Sequence, residues 1–169
     1  MPNKLDFNKE ELSALYKLTK EYYEELPDNM DDWYNSHYDF EEEPIEKKIL
    51  ISILKKIRGI LPDEEKELID KDFLRKKYHT FNNEINEKAY YIIEKAFDQL
   101  KTVEIDYFNM KSSEFKKRKI DVYYKSRKYI IGYCYLRKEI RKFRTSRIRL
   151  AKLTKNKYKI PNNFDKNKY

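Results

Sequence analysis

The chain has 169 residues, of which 40% are hydrophobic and 40% are charged, and its formal net charge is +8. This composition is typical of a folded protein with one medium domain or two small ones, and it excludes a long disordered tail as the main feature. Because the chain contains only 2 Gly, a glycine-rich phosphate loop is excluded as well.

The charge is distributed unevenly along the chain. Residues 1–100 carry 16 Lys/Arg and 24 Asp/Glu, a net charge of −8. Residues 101–169 carry 22 Lys/Arg and 6 Asp/Glu, a net charge of +16. This polarity predicts two regions with different roles, of which the basic one is a candidate anion-binding surface.

The acidic region has the periodicity of helices. Asn8 and Glu11 have the spacing of a capping box, and helical spacing of apolar residues continues from there to Pro27. An acidic, aromatic connection follows at residues 28–43. A second helix is predicted from Pro44, and its apolar stripe is expected to consist of Ile45, Ile49, Ile53, Ile57 and Ile60.

Two further helices complete the acidic region. The third is predicted from Pro62, with Leu68, Ile69 and Phe73 facing inward. The fourth is predicted to open at Asn83. Because residues 1–100 are net acidic and phosphate contacts dominate DNA affinity, we expect this region to be a scaffold or dimerisation element rather than a DNA-reading head.

At about Lys101 the apolar period changes from 3.6 to 2, which indicates strands. Five short strands are predicted near residues 103–107, 117–124, 128–136, 140–148 and 157–160. Short strands joined by tight turns favour a small barrel or a strongly bent sheet. The predicted fold class is therefore α+β, with a helical region at 1–100 and a β-domain at 101–169.

Four segments of the β-domain resemble WYL domains in order and spacing. They are Ile105-x-Tyr107, Arg118-x-Ile120, the run from Tyr129 to Cys134, and the R-x-F-R-x-x-R-I pattern from Arg141 to Ile148. The Trp-Tyr-Leu tripeptide that names the family aligns with Lys128-Tyr129-Ile130, so only the tyrosine is kept. The sequence also departs from the family at Val122, where a proline is usual, and at Ser146, where an aspartate is usual.

The resemblance implies a small five-stranded Sm-like or SH3-type β-barrel that senses a negatively charged ligand. In some members the ligand is single-stranded nucleic acid or a nucleotide, and the proteins are often homodimers. The segment LDFNKEELSALYKL looks like the helical part that follows the helix-turn-helix in WYL transcription regulators. The chain is therefore expected to lack the helix-turn-helix and the C-terminal extension of those regulators.

The resemblance and the side-chain chemistry together indicate a set of ligand-binding residues. Arginine presents a planar fork of donors to phosphates, and tyrosine stacks on bases. An ordinary solvated strand face and half-buried core tyrosines are the alternatives to this interpretation. The candidate residues are Tyr107, Arg118, Tyr129, Tyr133, Arg137, Arg141, Arg144, Ser146 and Arg147.

Strand alternation restricts how these candidates can meet. Arg141 and Arg144 point to opposite faces of one strand, so they can line one pocket only if the strand bends, bulges or lies at a rim. On the preceding strand, alternation places Tyr129 and Tyr133 on one face and Cys134 on the other. We predict that the Cys134 face is core and that the tyrosine face is the ligand or partner surface.

The sequence predicts no catalytic residues, metal site or cofactor. His37 and His79 are far apart and have no Cys or His companions at ligand spacing. Cys134 is the single cysteine and cannot form an intramolecular disulfide. The longest apolar run, residues 49–54, is too short to span a bilayer, and no signal peptide is recognised. We therefore expect a cytoplasmic protein that is not an enzyme and does not bind membranes.

Two functional hypotheses follow. The first is a regulatory module that binds single-stranded nucleic acid or a nucleotide-like anion through the region from Arg141 to Arg147. The alternative is a protein–protein adaptor or dimeric accessory subunit that docks an acidic partner without nucleic-acid binding.

Overall fold

The computed structural model describes residues 6–27, 44–79 and 84–169. The chain divides into two compact units, Met1–Asp70 and Lys71–Tyr169, which we call the helical unit and the sheet unit. The sequence prediction instead assigned residues 1–100 to one helical region. The predicted acidic connection at 28–43 and the predicted helix start at Asn83 lie outside the described residues.

The described residues form four α-helices, a five-stranded sheet and two short 3₁₀ turns. The helices are α1 (Lys9–Glu25), α2 (Lys47–Ile60), α3 (Asp63–Lys77) and α4 (Glu87–Asp98). The strands are β1 (Lys101–Asn109), β2 (Glu114–Lys125), β3 (Tyr129–Cys134), β4 (Glu139–Arg144) and β5 (Ile148–Lys157). The α+β class and the number of strands agree with the prediction.

The helical unit is held together by α1, α2 and the first part of α3. The predicted capping box is present, since the Asn8 side chain accepts from the Glu11 N–H and the Glu11 carboxylate accepts from the Asn8 N–H. The buried Tyr16 of α1 donates to the Asp70 carboxylate at 3.0 Å. Arg58 of α2 binds the other oxygen of Asp70 at 3.0 Å, so this carboxylate joins all three helices.

The predicted apolar stripe of α2 is wrong except at Ile57, which is buried as predicted. Leu50, Ile57 and the following Leu61 are buried, whereas Ile49 and Ile60 are 46% and 69% exposed. The buried residues are seven and four positions apart, so they lie on one face of the helix. The exposed Ile49 and Ile60 lie on a different face. Leu68 of α3, which was also predicted to face inward, is 66% exposed.

The sheet unit is an antiparallel sheet with the strand order β4-β3-β2-β1-β5. Its core lies between the sheet and α4, and each of the following residues belongs to it: Ala89, Ile93, Ala96, Val103, Ile105, Ile120, Val122, Ile130, Cys134, Phe143 and Ile148. The prediction that the Cys134 face of β3 is core is confirmed.

The sheet is strongly curved but open. Two strands separate β1 from β4, which in a flat sheet would place them about 14 Å apart. Nevertheless, the rings of Tyr107 on β1 and Phe143 on β4 have centroids only 5.2 Å apart. The edge strands β4 and β5 are not paired with each other, so the expected closed barrel is not confirmed.

The last part of the predicted strand pattern is also wrong. The strand expected at 140–148 ends at Arg144, and a 3₁₀ turn (Thr145–Arg147) redirects the chain into β5 at Ile148. The final strand therefore precedes the predicted 157–160. Thr145 and Ser146 are buried polar residues, and the backbone turns at these positions. The period-2 pattern of the sequence could not reveal this end of the strand.

Candidate functional site

Two adjoining pockets lie at the end of the sheet where the β2–β3 turn meets the 3₁₀ turn. The Thr145 pocket has a volume of about 390 Å³ and is lined by Ile85, Arg127, Lys128, Arg144, Thr145 and Ser146. The Tyr129 pocket has a volume of about 400 Å³ and is lined by Tyr107, Lys128, Tyr129, Lys142, Arg144 and Arg147. Lys128 and Arg144 belong to both pockets, which makes them one composite site.

The pairing of β3 with β4 positions the centre of this site. Tyr129 is directly opposite Arg144 in the register, and Ile131 is opposite Lys142. Lys142 is therefore a diagonal neighbour of Tyr129 on the same face of the sheet. The Lys142 Nζ atom lies 4.7 Å from the centroid of the Tyr129 ring, a cation–π distance.

The 3₁₀ turn brings Arg147 beside Arg144. In an extended strand, residues three apart point to opposite faces, but in a 3₁₀ helix residues i and i+3 lie above one another. Arg144 is the N-cap of the turn and Arg147 is its last residue, and both line the Tyr129 pocket. The turn thus supplies the change of direction that two arginines of one segment need to share a pocket.

Hydrogen bonds hold the two turns of the site together. The Thr145 N–H donates to the Lys128 carbonyl at 3.1 Å, and the Thr145 hydroxyl donates to the Arg127 carbonyl. Ser126 closes the β2–β3 turn, since its hydroxyl accepts from the Tyr129 N–H at 3.1 Å. These bonds fix Arg127 and Lys128 next to the segment that carries Arg144.

Tyr107 lines the Tyr129 pocket, and the buried Arg118 lies behind the Tyr107 ring. The Tyr107 hydroxyl accepts from the Arg144 N–H at 3.4 Å. The guanidinium carbon of the buried Arg118 lies 5.9 Å from the ring centroids of both Tyr107 and Phe143. Arg118 lines neither pocket, so it contributes a buried positive charge behind the Tyr107 ring rather than a surface contact.

The Arg118 guanidinium has few polar partners. Its Nη1 atom lies 3.9 Å from the Cys134 sulfur, and its Nε atom is buried with no hydrogen-bond partner. Among the described residues, no carboxylate forms an ion pair with it. Because arginine remains charged in proteins, this side chain raises the positive potential at the floor of the site.

Three predicted residues lie elsewhere on the β3–β4 hairpin. Arg137 is in the turn, where its N–H donates to the Cys134 carbonyl at 3.1 Å, and Arg141 pairs with Glu139 at 2.9 Å. Tyr133 packs edge-on against Tyr135. The hairpin turn lies about 16 Å along the strands from the site, given the length of β3. Arg137, Arg141 and Tyr133 line neither of the two pockets.

Of the nine predicted residues, five line the composite site, namely Tyr107, Tyr129, Arg144, Ser146 and Arg147. The sequence prediction missed Arg127, Lys128 and Lys142. The hairpin register could have indicated two of them, because pairing across the β3–β4 turn places Lys142 diagonal to Tyr129 and Lys128 next to it. Arg127 depends on the fold of the β2–β3 turn, for which the sequence has no comparable signal.

The site is electrostatically one-sided. Among the described residues, its lining contains five basic side chains and no acidic one. Glu87 of α4 binds the lining residue Arg127 with both carboxylate oxygens and is itself outside the lining. The hydrogen bond from Arg127 lowers the pKa of Glu87 below its usual range, so Glu87 is ionised at neutral pH.

The described part of the chain contains no group of three His, Cys, Asp or Glu residues that could hold a metal ion. None of its helices is long and apolar enough to cross a bilayer.

The strands of the sheet unit thus form a curved antiparallel sheet with α4 on one face and a basic pocket at its end. Comparison with protein families identifies it, since residues 88–153 match the WYL domain. The resemblance to WYL domains seen in the sequence is therefore confirmed for residues 88–153. The match includes all five basic residues of the site.

Among solved structures, the chain is similar to proteasome accessory factor B/C (PafBC) of Arthrobacter aurescens. The identity is 18% and the TM-score 0.37, with 90% of this chain and 21% of that chain covered. The chain thus spans about a fifth of the length of that protein. No curated protein was found to match the sequence.

Proposed function

We propose that this chain is a regulatory ligand-sensing protein of the cytoplasm that binds single-stranded nucleic acid or a nucleotide-like anion at the composite site. The observation that carries the proposal is the lining itself, in which the described residues bring together five basic side chains and two tyrosines and include no acidic one. Phosphates and bases are the ligand groups that such a lining favours.

The geometry suits a nucleotide in two ways. The forked donors of Arg144 and Arg147 can bind phosphate oxygens, and a base stacked on tyrosine contributes about 1–3 kcal/mol. The Lys142 ammonium lies over the Tyr129 ring. A base that stacks on Tyr129 would displace this ammonium from the ring. Lys142 could then bind the phosphate of the same nucleotide.

We propose binding rather than catalysis for this site. The lining residues other than Arg, Lys and Tyr are Ile85, Thr145 and Ser146. Among the described lining residues, there is no histidine or carboxylate that could act as a general base for either hydroxyl.

The test compares two double variants in equilibrium binding to a labelled thymidine strand of about ten nucleotides. Arg144→Ala with Arg147→Ala removes two arginines of the site. Arg137→Ala with Arg141→Ala is the matched control, because it removes two arginines from the neighbouring β3–β4 hairpin, outside both pockets.

We expect the first variant to bind at least about 10-fold more weakly, since hydrogen bonds to charged groups are lost. The slope of log affinity against log salt should fall by about 1.4, because each single-strand phosphate contact contributes about 0.7. The control should retain most of the affinity. Equal losses in both variants would indicate attraction to the whole basic region, and absence of binding by the wild type at every salt concentration would refute the proposal.

The alternative, an adaptor or homodimeric accessory subunit, is favoured by one observation in the helical unit. Ile45, Ile49 and Ile60 are between 46% and 69% exposed on and next to α2. Large apolar side chains exposed along a helix are a candidate protein-contact surface. Sedimentation at increasing concentration, in the wild type and in Ile49→Ser with Ile60→Ser, tests it; self-association that the substitutions abolish would support a homodimer.

A further inference from the structure

Arg127, a lining residue of the Thr145 pocket, is bound by a carboxylate of α4. Its Nη1 donates to Glu87 Oε2 at 3.0 Å and its Nη2 to Glu87 Oε1 at 2.5 Å, a two-pronged ion pair. Its guanidinium carbon lies 5.1 Å from the ring centroid of Tyr90. Arg127 is therefore oriented at the pocket edge before any ligand arrives.

The Glu87 carboxylate is placed by the start of α4. The N-cap Asn86 accepts from the Ala89 N–H at 3.0 Å, and its amide donates to the Arg149 carbonyl at 3.0 Å. Asn86 thus joins the beginning of the helix to β5. Glu87 lies just before the residues that match the WYL domain, 88–153, so it is a feature of this chain outside the matched part.

The ion pair is of the kind that a phosphate can replace. Both partners are exposed, at 63% and 65% for their side chains, and exposed ion pairs are weak. Carboxylate and phosphate present similar pairs of oxygens to a guanidinium. An anion in the Thr145 pocket would bring its oxygens to a guanidinium that is already pointed at its edge.

We propose that Glu87 is a built-in competitor for Arg127, displaced only by a ligand that places phosphates in both pockets. The inference rests on the proposed function and specifies its ligand as a strand with adjacent phosphates rather than a mononucleotide. Lys128 and Arg144 line both pockets. A single phosphate bound between these two side chains would gain nothing from Arg127. A second phosphate in the Thr145 pocket exchanges with the Glu87 carboxylate. Glu87 therefore sets a threshold of ligand length.

The same helix supplies a matched control. Glu94 of α4 binds Lys125 of β2 at 2.8 Å, an ion pair of the same charge type. Lys125 lines neither pocket. Glu94→Gln therefore removes the same charge from the same helix without releasing a residue of the site.

The experiment measures the affinity of the full chain for a thymidine strand of about ten nucleotides and for thymidine monophosphate. Glu87→Gln is expected to raise the affinity for the strand about twofold to fivefold, the range that an exposed ion pair allows. Glu94→Gln should change it less than Glu87→Gln does. The affinity for thymidine monophosphate should be the same in wild type and Glu87→Gln.

A double-mutant cycle separates direct competition from long-range charge. In an Arg127→Gln background, Glu87→Gln should no longer raise the affinity for the strand. An equal gain in both backgrounds, or an equal gain from Glu94→Gln, would overturn the inference. If the wild type binds the strand and Glu87→Gln binds it equally well, this inference fails while the proposed function stands; if the wild type does not bind, both fail.

Discussion

The sheet unit and the helical unit bury their apolar residues to different extents. In the sheet unit, Val103, Ile105, Ile120 and Ile130 have no exposed surface. In the helical unit, by contrast, Ile49 and other isoleucines of α2 are exposed to solvent. A strand has only two faces, so its pattern decides burial, whereas an apolar helix can turn any of several faces to its partner.

Helix α2 illustrates this freedom. Apolar residues surround most of its circumference, and two stripes of helical spacing share Ile57. Packing against α1 selects the stripe that contains Leu50 and Ile57. The sequence could not decide between the stripes, because the choice depends on contacts between residues far apart in the chain.

The largest loss of stability is expected from a substitution of Gly132 in β3. A Cβ there would lie 2.9 Å from the carbonyl carbon of Asp121 in the neighbouring strand, next to the irregular pairing at Val122. Because strand backbone cannot yield as a side chain can, Gly132→Ala is expected to lower the free energy of unfolding by about 3 kcal/mol or more. Chemical denaturation followed by circular dichroism measures this, and a near-neutral result would contradict the close approach of β2 and β3.

A pair of isoleucines in α2 tests the helical side of the comparison. Ile57→Ala is expected to cost about 2–3 kcal/mol of stability, because Ile57 is buried. Ile53→Ala should cost less than about 1 kcal/mol, because Ile53 is 36% exposed. Denaturation midpoints of both variants provide the measurement. Equal costs would mean that the Ile53 face is covered in solution.

Replacement of Gly59 by alanine is expected to stabilise the chain, whereas the same change at Gly132 destabilises it. It lies within α2, and a Cβ at this position would meet no atom within 4 Å. Gly59→Ala is therefore expected to raise the free energy of unfolding by about 0.5–1 kcal/mol, because alanine restricts the unfolded chain and favours the helix. Thermal unfolding should show a higher midpoint, whereas a lower midpoint would mean that the site is packed.

The smallest expected effect concerns the pH dependence of Glu87. Arg127 lowers the pKa of this carboxyl in the folded chain, so the ion pair is present at neutral pH and is lost as the pH falls through that lowered pKa. In Arg127→Gln the pKa should return upward toward its usual range. The chemical shift of the Glu87 carboxyl carbon against pH reports it, and an unchanged midpoint would show that the pair does not form in solution.

Much of the fold could be predicted from local signals. The capping box at Asn8, the change of period at Lys101 and the core face of Cys134 all follow from short stretches of sequence. The end of β4 could not be predicted in this way, because a three-residue 3₁₀ turn is too short to change the period of the strand pattern. The open edge of the sheet could not be predicted either, because it depends on the pairing of strands that are far apart in the sequence.

The candidate site was predicted in part. The spacing of Arg144 and Arg147 identified two residues of its lining, but the same motif also indicated Arg141, which the alternation of β4 directs elsewhere. Lys128 and Arg127 enter the site only because hydrogen bonds from Thr145 hold the β2–β3 turn against it. Motif spacing predicts chemistry within one segment, whereas the pocket is made by two turns far apart in sequence.

Photo-crosslinking tests most directly whether the sheet unit carries the ligand site and where the site lies. A single strand of halogenated uridines would be irradiated with the full chain, and the modified residues identified by mass spectrometry. The crosslinks should fall on Tyr129 or Tyr107, the two tyrosines of the lining. Crosslinks confined to Tyr133 and Tyr135, or to the helical unit, would contradict the account.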